Sequence, residues 1–140
     1  NLIGNPLETA LMAADLMFSG TLDDCPDLKI GLAHGGGFLP YQIGRLVHGH
    51  RVREETHAKS ATSPFELLRR FYFDSVVFDP QALAFLAGLV GADRVFLGTD
   101  APFDMGDEEP LSTLARAAGL SEAQRGQVAG GTALALLGEN

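Results

Sequence analysis

The sequence predicts an α/β fold, a parallel sheet covered by helices, on three observations. Short apolar runs at residues 28–33, 72–76 and 94–98 have the length and composition of buried strands. Each is followed by a segment with helical capping or periodicity, and strands joined through helices run parallel. The first and third runs also end in polar turns, His34-Gly35-Gly36-Gly37 and Thr99-Asp100.

The elements follow in order. Asn5-Pro6-Leu7-Glu8 is a helix start: Asn5 can cap, Pro6 takes the first helical position, where its missing N–H costs nothing, and Glu8 can reach back. Leu7, Leu11, Ala14 and Phe18 share one face, and Gly20 stops the helix. After the first strand, residues 40–55 read as a moderately amphipathic helix, and Ser63-Pro64-Phe65-Glu66 as another capped start. The second strand leads to a helix from Pro80 to Val90, stopped by Gly91. Behind the third strand lies an acidic loop at residues 101–110, then helices at 111–118 and 121–128 and a short closing helix at 132–137. Three strands do not close a barrel, and a doubly wound sheet usually has about five. The sequence starts at Asn1 without a Met and runs straight into a helix signal. The expectation is one partial domain over residues 1–140, with N-terminal strands missing.

Bulk properties exclude some partners. The net charge of −8, without a basic cluster, disfavours binding to phosphate backbones, so no nucleic-acid partner is expected. No apolar run approaches the roughly 18 residues that span a bilayer, and no signal peptide is recognisable. Mean hydropathy is +0.10. The single Cys25 excludes an internal disulfide and fits a reducing cytoplasm, the expected location.

Four residues are candidates for chemistry. His34 sits at the C-terminal end of a strand, where sites of parallel α/β folds assemble and an imidazole can exchange protons near neutral pH. The alternative is a histidine satisfied beside a flexible turn. Asp100, at the end of the third strand, could bind a divalent metal or act as a base, but taken alone it reads rather as a turn or cap residue ahead of Pro102. Their shared sheet edge favours a common site. Arg45 and Arg53 lie eight residues apart on the helix after His34, so they face similarly, and guanidinium forks bind carboxylates in pairs. Surface pairing with Glu54 or Glu55 is the competing role, more so for Arg53. His48, His50 and His57 resemble a metal cluster only by count, because His48 and His50 do not share a helical face. The triple glycine lacks the spacing of a nucleotide loop, and the carboxylates of residues 104–109 lack the order of a calcium loop.

At these residues the chain resembles a family. Ala33-His34-Gly35-Gly36-Gly37, then Pro40, Gly44-Arg45 and His48-Gly49, is similar to a block of the aminocarboxymuconate-semialdehyde decarboxylase branch of the amidohydrolases. Residues 3–9, Tyr72-Phe73-Asp74-Ser75 with Asp79-Pro80 and Leu83, Gly98-Thr99-Asp100-Ala101-Pro102-Phe103, and Ala133-Leu134-Ala135 with Leu137-Gly138 resemble further blocks in the same order. The resemblance implies a distorted (β/α)₈ barrel of which strands six, seven and eight are visible here. It implies one divalent metal, usually zinc, at the C-terminal mouth. Asp100 is then a metal ligand, His34 the general acid/base, and Arg45 and Arg53 holders of substrate carboxylates, Arg45 reaching into a neighbouring subunit. The implied reaction is non-oxidative loss of CO₂ from a small acidic substrate through metal-activated water. The alternatives are hydrolysis or hydration by the same water, or a catalytically inactive oligomeric fragment. Departures from the family pattern are Ala101 for tyrosine, Phe78 for a frequent histidine and Thr132 for an asparagine. The family's H-x-H strand and a further ligand histidine have no counterpart. Apolar edges left uncovered by half a barrel lead to the expectation of a homo-oligomer.

Overall fold

A computed structural model describes residues 1–138; Glu139 and Asn140 of the expected domain lie outside the described residues. Helices α1 (Gly4–Phe18) and α2 (Thr21–Asp24) lead to strand β1 (Gly31–Leu32) and a 3₁₀ turn, His34–Gly36. Helices α3 (Leu39–Val52), α4 (Glu54–His57) and α5 (Pro64–Leu68) precede β2 (Tyr72–Asp74). Helix α6 (Pro80–Val90) leads to β3 (Val95–Phe96), and α7 (Pro110–Arg116), α8 (Glu122–Gly126) and α9 (Thr132–Leu137) close the described chain.

The expected α/β class holds. The three strands form one parallel sheet in the order β1-β2-β3. Gly31 and Leu32 stand opposite Tyr72 and Phe73, while Phe73 and Asp74 stand opposite Val95 and Phe96. This register aligns Leu32, Phe73 and Val95 in one row across the sheet, each fully buried. Side chains of α1, α3, α5 and α6 complete that core, among them Met17, Ile43, Leu67 and Leu83. The opposite face carries Tyr72, Asp74 and Phe96, which are only half-buried. The described residues thus cover the Leu32–Phe73–Val95 face of the sheet completely. The strands are also shorter than the apolar runs, because a ladder extends only where a neighbour pairs with it. β2, the central strand, is accordingly the longest.

Local signals placed most helix ends. Ser63 Oγ accepts from the Phe65 amide, and Ser121 and Gln124 form a reciprocal capping box. Asp79 accepts from the amides of Gln81 and Ala82 and starts α6, which Gly91 (φ 100°) ends. Asn5 does not cap: α1 begins at Gly4, and Asn5 serves through its backbone carbonyl, which accepts from the Thr9 hydroxyl. The expected break before residue 132 is absent. Gly130 and Gly131 stay helical within a π turn, Gln127–Gly131, that joins α8 to α9. Thr132, the first residue of α9, therefore follows the π turn without a break, and its buried hydroxyl donates to the Ala92 carbonyl. No helix among the described residues is long and apolar enough to cross a membrane.

Candidate active site

Among the described residues, three non-glycine residues have a left-handed backbone: His34 (φ 57°), Phe78 (φ 56°) and Asp100 (φ 58°). One follows each strand, at the C-terminal edge of the sheet. That conformation costs an L-residue roughly 1–2 kcal/mol, so it persists only where surrounding structure imposes it. All three line one cavity of about 730 Å³, together with Pro6, Phe38 and Phe103. The imidazole and the carboxylate singled out in the sequence are therefore brought to a common space.

His34 is held from two sides. Below it, the Asp74 carboxylate accepts from the His34 amide (3.0 Å), the Gly35 amide (2.7 Å) and the Val76 amide (3.1 Å). A single side chain on β2 thus clamps the turn that follows β1. Burial pushes the Asp74 carboxyl up from its usual value, and the three amides with the nearby His34 work against that rise. Beside it, Thr9 Oγ1 of α1 lies 3.2 Å from His34 Nδ1. The glycines make this packing possible, and what they approach is the protein itself. A Cβ on Gly36 would press against the Phe73 ring at 2.8 Å, and one on Gly37 would collide with the Pro6 carbonyl.

Asp100 opens the turn ahead of Pro102 through its backbone rather than through its side chain. In its loop, Thr99 Oγ1 accepts from the Ala101 amide, and the Asp100 backbone carbonyl accepts from the Phe103 amide. The Asp100 carboxylate itself makes no hydrogen bond among the described residues, which leaves its oxygens to the cavity. Asp104 and Met105 of the acidic loop line the same cavity.

The two arginines lie elsewhere. Arg45 is exposed on α3, and Arg53 falls past the helix end in extended geometry (φ −124°, ψ 121°). They do not share a helical face, and neither lines the cavity. Arg53 lies 3.9 Å from Glu55, both side chains largely in solvent. Exposed pairs of this kind contribute little, so Arg53→Ala is expected to change unfolding free energy by less than about 0.5 kcal/mol in urea titration. The other histidines are tied up locally: His50 Nε2 to the Ser60 carbonyl, His57 Nδ1 to the His50 carbonyl, and His48 Nδ1 to Arg51. No group of three or more His, Cys, Asp or Glu among the described residues could hold a metal ion. Asp100 alone does not make a metal site.

Sequence reasoning treated Asp74 and Thr9 only as parts of motifs and Phe78 as a departure. A carboxylate closing an otherwise apolar strand was the available signal for Asp74. The other two are recognisable only by what they face.

A family described as "Amidohydrolase" matches residues 3–138. The chain is 39% identical over 138 residues to 2-amino-3-carboxymuconate-6-semialdehyde decarboxylase of Dictyostelium discoideum, covering 98% of this chain and 38% of that protein. It is 38% identical over 98 residues to 6-methylsalicylic acid decarboxylase of Penicillium expansum, covering 69% and 30%. The chain thus spans well under half the length of the curated relatives it matches. Among solved structures, it superposes with a TM-score of 0.81 on dihydroxybenzoic acid decarboxylase of a Polaromonas species, described with bound manganese and 2-nitroresorcinol. The identity there is 31%, over 95% of this chain and 40% of that one.

Proposed function

The chain belongs to the amidohydrolase family, and from that premise we propose that it is part of a metal-dependent, non-oxidative decarboxylase acting on a small carboxylated substrate. One observation carries the reading: His34, Phe78 and Asp100, each in a left-handed conformation behind its own strand, converge on one cavity. In decarboxylation the bond between the carboxylate carbon and its neighbour breaks, CO₂ leaves, and a proton takes its place. His34 is the group positioned to deliver or accept that proton. The apolar wall of Pro6, Phe38, Phe78 and Phe103 suits a flat conjugated or aromatic acid, such as an aminocarboxymuconate semialdehyde or a hydroxybenzoate.

The three strands correspond in this reading to strands six, seven and eight of a (β/α)₈ barrel. Asp100 supplies one ligand to a divalent ion, zinc or manganese, whose other ligands are not among the described residues. Arg45 and Arg53, standing outside the cavity, hold substrate carboxylates only if another copy of the chain brings them to its own site. Exposed apolar side chains such as Ile3, Leu11 and Val52 support such a homo-oligomer. The unpaired thiol of Cys25 is consistent with a reducing cytoplasm.

The test is CO₂ release by the full-length protein from 2-amino-3-carboxymuconate semialdehyde and from hydroxybenzoates, read alongside metal content. Asp100→Ala is expected to weaken metal binding by about 100-fold or more and to abolish turnover. Full metal retention in that variant would remove Asp100 from the ligand set. Hydrolysis without CO₂ release would point to the hydrolases of the same family.

A further inference from the structure

We infer that Thr9 is a positioning residue, one that fixes the proton of the neutral His34 imidazole on Nδ1 and so presents Nε2 to the cavity as the proton-accepting nitrogen. The inference rests on the reading of His34 as the proton-transfer group, and it names the residue that sets which nitrogen does the work.

The Thr9 hydroxyl has a single proton to donate. Thr9 lies in α1, where a threonine hydroxyl can donate to the carbonyl one turn back, and here Oγ1 lies 3.1 Å from the Asn5 carbonyl oxygen. With its proton directed there, Oγ1 turns only lone pairs towards His34 Nδ1, 3.2 Å away. Two acceptors do not hydrogen-bond to each other, so Nδ1 carries the hydrogen and donates it. The ring has one other nitrogen, Nε2, which has no hydrogen-bond partner among the described residues. Which nitrogen of an imidazole holds the proton is set by the partner of the other, and Thr9 is that partner.

The fold enforces the contact. Thr9 stands one turn before Ala13, which is fully buried, so its side of α1 faces the body of the protein. Pro6, on the preceding turn, closes directly on Gly37, where no side chain fits. The clamp of Asp74 on the His34 and Gly35 amides fixes the imidazole's own backbone from the other side. The hydroxyl and the ring are thus both anchored by groups that do not depend on a ligand.

The decisive measurement is the ¹⁵N signature of the His34 ring in the full-length protein, taken where the imidazole is neutral. Wild type and Thr9→Ser are expected to show Nδ1 protonated and Nε2 bare. Thr9→Val, similar in shape but without the hydroxyl, is expected to move the population towards Nε2–H. Its kcat for CO₂ release should fall about tenfold with KM changed less than about twofold, since the loss falls on proton transfer rather than binding. Protonation at Nε2 in wild type, or an unaltered tautomer in Thr9→Val, overturns the inference, and the wild-type spectrum decides this even if a variant fails to fold. Absence of CO₂ release by wild type from every carboxylated substrate tried would retire the catalytic reading instead, leaving the tautomer result to stand on its own.

Discussion

His34→Asn is expected to lower kcat for CO₂ release by about 10²–10⁴-fold, the usual contribution of a positioned acid/base, while the protein stays folded. Asparagine is the informative replacement because position 34 has φ 57°. Asparagine tolerates that left-handed geometry better than most residues, so the backbone is preserved while the titrating ring is removed. His34→Gly gives a second arm: relief of backbone strain should leave stability unchanged or improved, with activity lost to the same extent. Steady-state kinetics and urea unfolding on both variants separate the two contributions. Activity within about tenfold of wild type in His34→Asn would show that another group moves the proton.

The largest effect on stability is expected at Asp74. Asp74→Ala leaves the amides of His34, Gly35 and Val76 without the acceptor they share. Unsatisfied buried donors cost about 1–3 kcal/mol each, partly recovered where water reaches them, so a net loss of about 2–3 kcal/mol is expected in urea titration. Turnover should fall with it, because the turn carrying His34 loses its anchor. Asp74→Asn should be intermediate: an amide nitrogen replaces one carboxylate oxygen and opposes a backbone N–H with another donor.

The same residue gives stability a pH dependence. Burial raises the folded carboxyl above its unfolded value of 3.8, so folding takes up a proton between the two. The resulting stabilisation is complete below 3.8 and is lost as pH rises through the folded value. Wild type should therefore lose stability relative to Asp74→Asn as pH rises from acid towards neutral, measured as the difference in unfolding free energy. An unchanged difference across that range would mean that the three amides offset the burial of the charge completely.

The order of strands and helices, their parallel arrangement and most helix boundaries were legible in the sequence because local chemistry decides them. Ser63 and Ser121 cap amides two or three residues away, Gly20 and Gly91 stop helices by their own backbone, and His34 and Asp100 declared themselves by standing just behind apolar runs. Asn5 misled for an equally local reason: the helix could start at either side of Pro6, and the sequence favoured a cap that the backbone did not need. Arg53 lost its place beside Arg45 because α3 ends at Val52, one residue short of carrying it onto the helix.

What tertiary structure alone decided is how side chains distant along the chain meet. Asp74 holds the His34 turn from 40 residues away, and Thr9 reaches the imidazole from 25 residues away. Phe78 was a departure from a motif until the third left-handed turn set it on the cavity wall beside the other two. Periodicity and capping report interactions within a few residues, whereas the register Leu32–Phe73–Val95 that aligns the strand ends emerges only when the sheet forms and buries that row. The chemistry-bearing residues are written in the chain, and the packing of α1 and the sheet edge turns them into a site.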